Sequence, residues 1–174
     1  MSRARKMIQA STFLLACSLA ATSWAADRVR LTTPVSGVVK EVYVQVGQRV
    51  KKGDKLLALD DTVFRARVME AEAGLMRVKQ EADDADREFK RAEELYDRGV
   101  SSTTEFDTAK LRHARATASS KEAEARLIIA QKNLEDSVLR APFDGVVRAR
   151  EAEPGMYVPT QLNPPTLIIL GKVR

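Results

Sequence analysis

The sequence predicts an α+β fold, a small β-sandwich split in two by a long antiparallel coiled-coil hairpin of helices. Three observations predict it. Between Asp61 and Asp136 apolar residues recur at alternating steps of four and three; on either side β-branched residues alternate between glycines and prolines; and the two flanks repeat one another at a fixed offset.

The hairpin comes first because its pattern is the longest. Its first arm carries Phe64, Val68, Ala71, Leu75, Val78, Ala82, Ala85, Phe89, Ala92 and Tyr96, a heptad seam without a break. The second carries Phe106, Ala109, His113, Ala116, Ser120, Ala123, Leu127, Ala130 and Leu134, the same rhythm with two polar members. The period stops at Gly99-Val100-Ser101-Ser102, which is the turn. A helix facing a globular core needs a wider apolar stripe, so a narrow seam edged by charges suits two helices zipped against each other. At ~1.5 Å per residue, such arms project about 50 Å.

The sandwich is read from residues 26–60 and 137–174. Val38, Val39, Val42, Val44, Val46 and Val50 are punctuated by Pro34, Gly37, Gly47 and Gly53, the pattern of short strands and tight turns. Pro34, Gly37, Val38, Val39, Gly47 and Val50 each recur 108 positions later, as Pro142, Gly145, Val146, Val147, Gly155 and Val158. Leu56-Leu57-Ala58-Leu59 matches Leu167-Ile168-Ile169-Leu170 at an offset of 111. Glycines at matching places imply turns of positive φ. Neither half can bury its own face, so the two are expected to close one domain.

Residues 1–25 read as a secretory signal. Arg3, Arg5 and Lys6 precede an apolar run from Met7 to Ala21, and Ser23-Trp24-Ala25 offers small residues for cleavage after Ala25. The run is shorter than the roughly 18 apolar residues of a spanning helix. Cys17, the one cysteine, lies inside it, so a cleaved chain forms no disulfide. Leu14-Leu15-Ala16-Cys17 also resembles a bacterial lipoprotein cleavage box, which makes Cys17 a candidate lipidation site.

Charge and chemistry exclude several classes. Of the net +5, three charges belong to the signal segment; without it 26 basic residues face 24 acidic ones. Signs alternate along the hairpin, and the sequence shows none of the clustered Lys and Arg of a nucleic-acid binder. His113 is the one histidine and falls on the seam, where no nucleophile and carboxylate set converges on it. Asp83, Asp84 and Asp86 are too close on one helix to act as an acid and base across a cleft. Met69, Met76 and Met156 lack the spacing of metal ligands. No catalysis, metal or cofactor is expected.

With both flanks in view, the chain resembles the periplasmic adaptors, or membrane fusion proteins, of bacterial tripartite efflux pumps (the HlyD-type family). The matching residues are Val35-Ser36-Gly37-Val38-Val39 and Gly47-Gln48-Arg49-Val50-Lys51-Lys52-Gly53-Asp54 in the first half. In the second they are Leu134, Ser137, Leu139, Ala141-Pro142-Phe143-Asp144-Gly145-Val146-Val147 and Glu153-Pro154-Gly155. The resemblance implies a lipoyl-like sandwich split by a helical hairpin, located in the periplasm and associated with the inner membrane. True lipoyl and biotinyl domains modify a Lys at the tip joining their halves; here Leu59-Asp60-Asp61-Thr62 stands there, so no carrier role is expected. Full-length members add a β-barrel and a membrane-proximal domain on both sides of this unit. Because Asp27-Arg28 runs straight into the first half and the chain ends at Arg174, a minimal adaptor is the expectation.

Near the hairpin turn, adaptors that dock on an outer-membrane channel resemble one another in an Arg, a Leu four residues on and a Ser seven beyond that. Arg91, Leu95 and Ser102 stand at those spacings, followed by Glu105-Phe106-Asp107 and Ala109. The resemblance makes these three the channel-binding residues. It also implies a homo-oligomer of hairpins side by side and an inner-membrane transporter of RND or ABC type as partner. Local structure offers other duties: Gly99 can end the first helix with Val100 touching Leu95, and Ser102-Thr103-Thr104-Glu105 is a capping box. The alternative reading is a coiled-coil structural or accessory periplasmic protein without a transport role.

Overall fold

The structure, a computed structural model, describes residues 28–161 and 164–172. The signal segment and Cys17 lie outside the described residues. In chain order come β1 (Arg28–Leu31), β2 (Gly37–Val42), β3 (Arg49–Val50) and β4 (Lys55–Leu59). The helices α1 (Thr62–Asp97) and α2 (Thr103–Asp136) follow, then β5 (Val138–Arg140), β6 (Gly145–Arg150), β7 (Tyr157–Val158) and β8 (Ile168–Lys172).

The strands form two four-stranded sheets, ordered β1-β8-β6-β3 and β5-β4-β2-β7, antiparallel throughout. Each sheet takes two strands from each half of the chain, so the halves interleave rather than stack. Exchanging β1 with β5, β2 with β6, β3 with β7 and β4 with β8 turns one sheet into the other. The sequence repeat is therefore a repeat of structure, down to its irregularities. A bulge lies between Val39 and Glu41 in β2 and between Val147 and Ala149 in β6, the same places 108 residues apart. Likewise Gly47 N–H donates to the Val147 carbonyl at 2.8 Å, and Gly155 N–H to that of Val39 at 2.8 Å.

Of the matched glycines, Gly47 and Gly155 have φ of 88° and 86°, as expected of turns that only glycine enters cheaply. Gly37 and Gly145 do not. They are glycine because a neighbour approaches: a Cβ on Gly145 would lie 2.7 Å from the Gly171 carbonyl oxygen, and one on Gly37 3.2 Å from Leu59 Cδ1.

The core between the sheets holds Val39, Leu56, Leu57, Leu59, Val147, Leu167, Ile168 and Leu170, all essentially inaccessible. The two apolar strands matched in sequence, β4 and β8, are central or next to central and supply most of it. Neither half could bury these strands alone.

α1 and α2 pack along the predicted seam. Phe64, Val78 and Ala85 of α1 and Ala123 and Ala130 of α2 are buried, and the remaining seam residues are half-buried apart from Tyr96 at the far end. Most residues off the seam are exposed, as the narrow stripe requires. At the base, Ser137 ends α2, buried, its hydroxyl donating to the Leu134 carbonyl at 2.7 Å.

Candidate functional site at the hairpin tip

α1 ends in a Schellman motif. Gly99 has φ 69°, its N–H donates to the Tyr96 carbonyl at 2.9 Å, and the Val100 N–H donates to that of Leu95 at 2.9 Å. α2 begins with a complete capping box. The Ser102 hydroxyl accepts from the Glu105 N–H at 3.2 Å while the Glu105 carboxylate accepts from the Ser102 N–H at 3.0 Å. The Ser101 hydroxyl donates to the same carboxylate at 2.7 Å, and these bonds, Ser101's first among them, hold the Glu105 carboxyl below its ordinary range. Both helix ends are thus closed, and the turn is a built object.

Behind the turn the seam becomes aromatic. The rings of Tyr96 and Phe106 stack at 4.9 Å, Phe106 meets Phe89 at 5.8 Å, and His113 lies flat on Phe89 at 5.2 Å with 8° between planes. The Lys110 ammonium stands 5.9 Å from the centre of the Phe106 ring. His113, one of the two polar seam members, therefore continues the stack rather than interrupting it. Its Nε2 is 3.6 Å from Asp86 across the seam. Asp86 also accepts from Lys90 at 2.7 Å, and that bond first of all holds its carboxyl below the usual range. Glu88 and Arg112 bridge the helices at 2.5 Å on one flank. Sequence reasoning placed these residues on the seam without foreseeing the stack. The signal was available, since the aromatic and imidazole rings of the seam gather at its distal end apart from Phe64.

The three predicted contacts fall on this closed turn with unequal freedom. Arg91 is exposed on α1 and forms no ion pair among the described residues, whereas its neighbours Arg87 and Lys90 bond Asp84 and Asp86. Leu95 shares its face one turn on. Its carbonyl serves the cap while its side chain is 37 % exposed, and Val100, at 73 % exposed, covers little of it. Ser102 is occupied as the cap of α2. The structure thus gives Ser102 a local duty and leaves the Arg91 and Leu95 side chains available.

Further down the same flank, Gly74 opens a shallow groove floored by Ala71, Ala123 and Ala130 and edged by Arg67 and Arg126. The heptad places Met69 and Met76 on the opposite flank, and both are well exposed. Among the described residues no group of acidic, His or Cys side chains could hold a metal ion.

Comparison with known proteins matches these features to a family. The model of the CzcB-like, barrel-sandwich hybrid domain matches residues 27–163. The uncharacterized protein YdhJ of Escherichia coli is 33 % identical over 135 residues, 78 % of this chain and 47 % of YdhJ. The multidrug resistance protein MdtA of Yersinia enterocolitica is 26 % identical over 145 residues, 83 % of this chain and 33 % of MdtA. The chain therefore spans a third to a half of the length of these relatives. Among solved structures, a MacA-MexA chimera containing the α-hairpin domain of Pseudomonas aeruginosa MexA is 26 % identical with a TM-score of 0.65, over 85 % of this chain and 47 % of the chimera. A sandwich of interleaved halves carrying a closed helical hairpin is the architecture these proteins share, and the chain belongs to the CzcB-like barrel-sandwich hybrid family of membrane fusion, or periplasmic adaptor, proteins.

Proposed function

We propose that the protein works as a periplasmic adaptor in a tripartite efflux or secretion assembly, bridging an inner-membrane transporter of RND or ABC type to an outer-membrane channel through the hairpin tip. The observation that carries this is the exposed pair Arg91 and Leu95 beside a turn whose own hydrogen bonds are complete. A guanidinium without an ion-pair partner among the described residues, next to an exposed Leu, offers a forked donor and apolar area together, the composition of an interface anchor. Ser102 joins them in the proposed contact through its position at the turn, in addition to capping. Export by the 1–25 signal, with Cys17 as a candidate lipid attachment point, would deliver the chain to the periplasm. Among the described residues no helix is long and apolar enough to cross a membrane.

Self-association fits the flanks. The groove at Gly74 and the exposed Met69 and Met76 lie on opposite sides at the same height, so copies standing side by side would meet head to tail, the arrangement that closes rings. The work proposed is bridging and sealing rather than catalysis.

A photo-crosslinker at Leu95 tests the reading in cells. It should capture an outer-membrane channel, and Arg91→Asp should abolish capture while protein level and helicity stay unchanged. A folded, expressed protein that yields no channel adduct would favour an accessory coiled-coil protein instead.

A further inference from the structure

His113 belongs to the one side-chain type that ordinarily changes charge between pH 5 and 8, and it stands where the two helices are tied unevenly. At its height the heptad puts Glu88 and Arg112 on one flank of the hairpin and Asp86 on the other. Glu88 and Arg112 bridge the helices at 2.5 Å, a carboxylate with a guanidinium, groups that do not titrate near neutrality. On the other flank His113 Nε2 faces Asp86 Oδ1 at 3.6 Å, beyond hydrogen-bond length. The surrounding seam is otherwise alanine (Ala82, Ala85, Ala92, Ala109, Ala116), so the stack of the imidazole on Phe89 is the largest contact between the helices there.

The charges around the imidazole leave room for one more partner. From α1 come Asp86, with Asp83 and Lys90 a turn to either side of it and Arg87 next to it; from α2 comes Lys110, one turn before His113, its ammonium standing over Phe106. Lys90 donates to Asp86 Oδ2 at 2.7 Å, which leaves Oδ1, the oxygen that faces His113, free to accept. The bond from Lys90 first, and the charges of His113 and Arg87 after it, hold the Asp86 carboxyl below its ordinary range. Asp86 is therefore a carboxylate throughout the range in which an imidazole titrates. The imidazole is a third exposed, so solvent can deliver the proton, and an imidazolium donates from both ring nitrogens, whichever of them the neutral ring protonates. It also gains from lying on the Phe89 face.

We propose that His113 and Asp86 form an acid-operated clasp: a proton on the imidazole closes a second interhelical ion pair opposite Glu88 and Arg112 and steadies the hairpin turn, and loss of the proton opens that flank. Ring contacts carry the effect to the turn. Phe89 lies against His113 at 5.2 Å and against Phe106 at 5.8 Å, and Phe106 stacks on Tyr96 at 4.9 Å. The Tyr96 carbonyl accepts the Gly99 N–H at 2.9 Å, the bond that ends α1. Contact thus runs unbroken from the titrating ring to the helix cap, and the clasp sets how firmly the tip is held. Its range lies above that in which Glu105 loses its charge, so acid tightens the clasp before it weakens the capping box.

Thermal melts of the full chain and of His113→Phe, at roughly pH 5.5 and 7.5, test the clasp. Phenylalanine keeps the stack and removes the titration, and the difference between the two proteins cancels the carboxylates they share. The natural protein should gain about 2 °C on His113→Phe in going from the higher pH to the lower. Asp86→Asn should abolish that gain and Asp86→Glu should restore part of it. Amide exchange at Gly99 and Val100, corrected for the intrinsic effect of pH, should slow about threefold in acid in the natural protein and not in His113→Phe. Should His113→Phe fail to fold by circular dichroism, His113→Gln takes its place. A difference that does not change with pH would overturn the proposal and leave His113 as a stacking ring. A difference that shrinks in acid would overturn it too, with repulsion from Lys90 and Lys110 outweighing Asp86. An acid gain that survives Asp86→Asn would refute the ion pair, and unchanged exchange at the turn would refute the steadying of the tip. No channel or transporter enters these measurements, so this inference and the proposed function fail separately.

Discussion

The base and the hairpin of this molecule are stabilised in opposite ways. In the base, six large aliphatic side chains are fully buried between two sheets, and of its described cations Arg150 alone forms an ion pair, with Glu153. In the hairpin, few side chains are fully buried over two helices of 36 and 34 residues, while ion pairs such as Arg77 with Glu81 and Arg126 with Glu122 line the exposed faces. Exposed pairs of that kind contribute only a few tenths of a kcal/mol each. The base therefore depends on single residues, and the hairpin on the sum of many small ones.

The largest expected effect follows from the core. Leu57→Ala or Ile168→Ala should cost about 2–5 kcal/mol of stability, because either leaves a void that the two sheets cannot close. Leu75→Ala on the half-buried seam should cost roughly half as much or less. Denaturant unfolding of the three variants measures the difference, and equal losses would refute the contrast.

Glycine substitutions sharpen the comparison because their sign should reverse. Gly145→Ala pushes a methyl to 2.7 Å from a backbone oxygen of β8, so the β6 and β8 pairing must shift and stability should fall by more than about 1 kcal/mol. Gly74→Ala sits mid-helix with nothing within 4 Å of the added carbon, so it should stabilise the hairpin by roughly 0.5–1 kcal/mol. Thermal melts followed at a helical wavelength and by near-ultraviolet dichroism report the two regions. A destabilising Gly74→Ala would mean that the groove has a structural role.

These cases show what the sequence made legible. The seam was readable residue by residue, because a helix pair is specified by local periodicity. The repeat predicted the matching halves, and even the paired bulges follow it. Which strands share a sheet was not readable, since β1 with β8 and β3 with β6 are joined across more than 90 residues by register rather than by local pattern. Gly37 and Gly145 looked like turn glycines because closeness of a distant strand leaves no local trace. At the tip, Arg91, Leu95 and Ser102 are candidates that the family resemblance supplied, whereas the stacking of His113 on Phe89 needed both helices in place.

At the tip, Ser102 separates capping from docking. Ser102→Ala should cost about 1 kcal/mol by removing the acceptor for the Glu105 N–H. Ser102→Asp keeps an acceptor and the cap, so helicity should be retained. If Ser102 also touches the channel, crosslinking through Leu95 should weaken in both variants; if it only caps, Ser102→Asp should crosslink as the natural protein does.

The smallest expected effect is the acid response of that cap. The Glu105 carboxyl is held below its ordinary range by bonds from Ser101 and Ser102, so ionised Glu105 favours the folded turn. A depressed folded value means that this contribution is complete above the ordinary glutamate range and is lost as pH falls through the folded value. Glu105→Gln retains a capping side chain but no charge near the start of α2, where a negative charge also meets the helix dipole favourably. The natural protein should melt slightly higher than Glu105→Gln at neutral pH, and the gap should close in acid. A gap that stays constant down to pH 3 would mean that hydrogen-bond geometry alone, not the carboxylate charge, holds the turn.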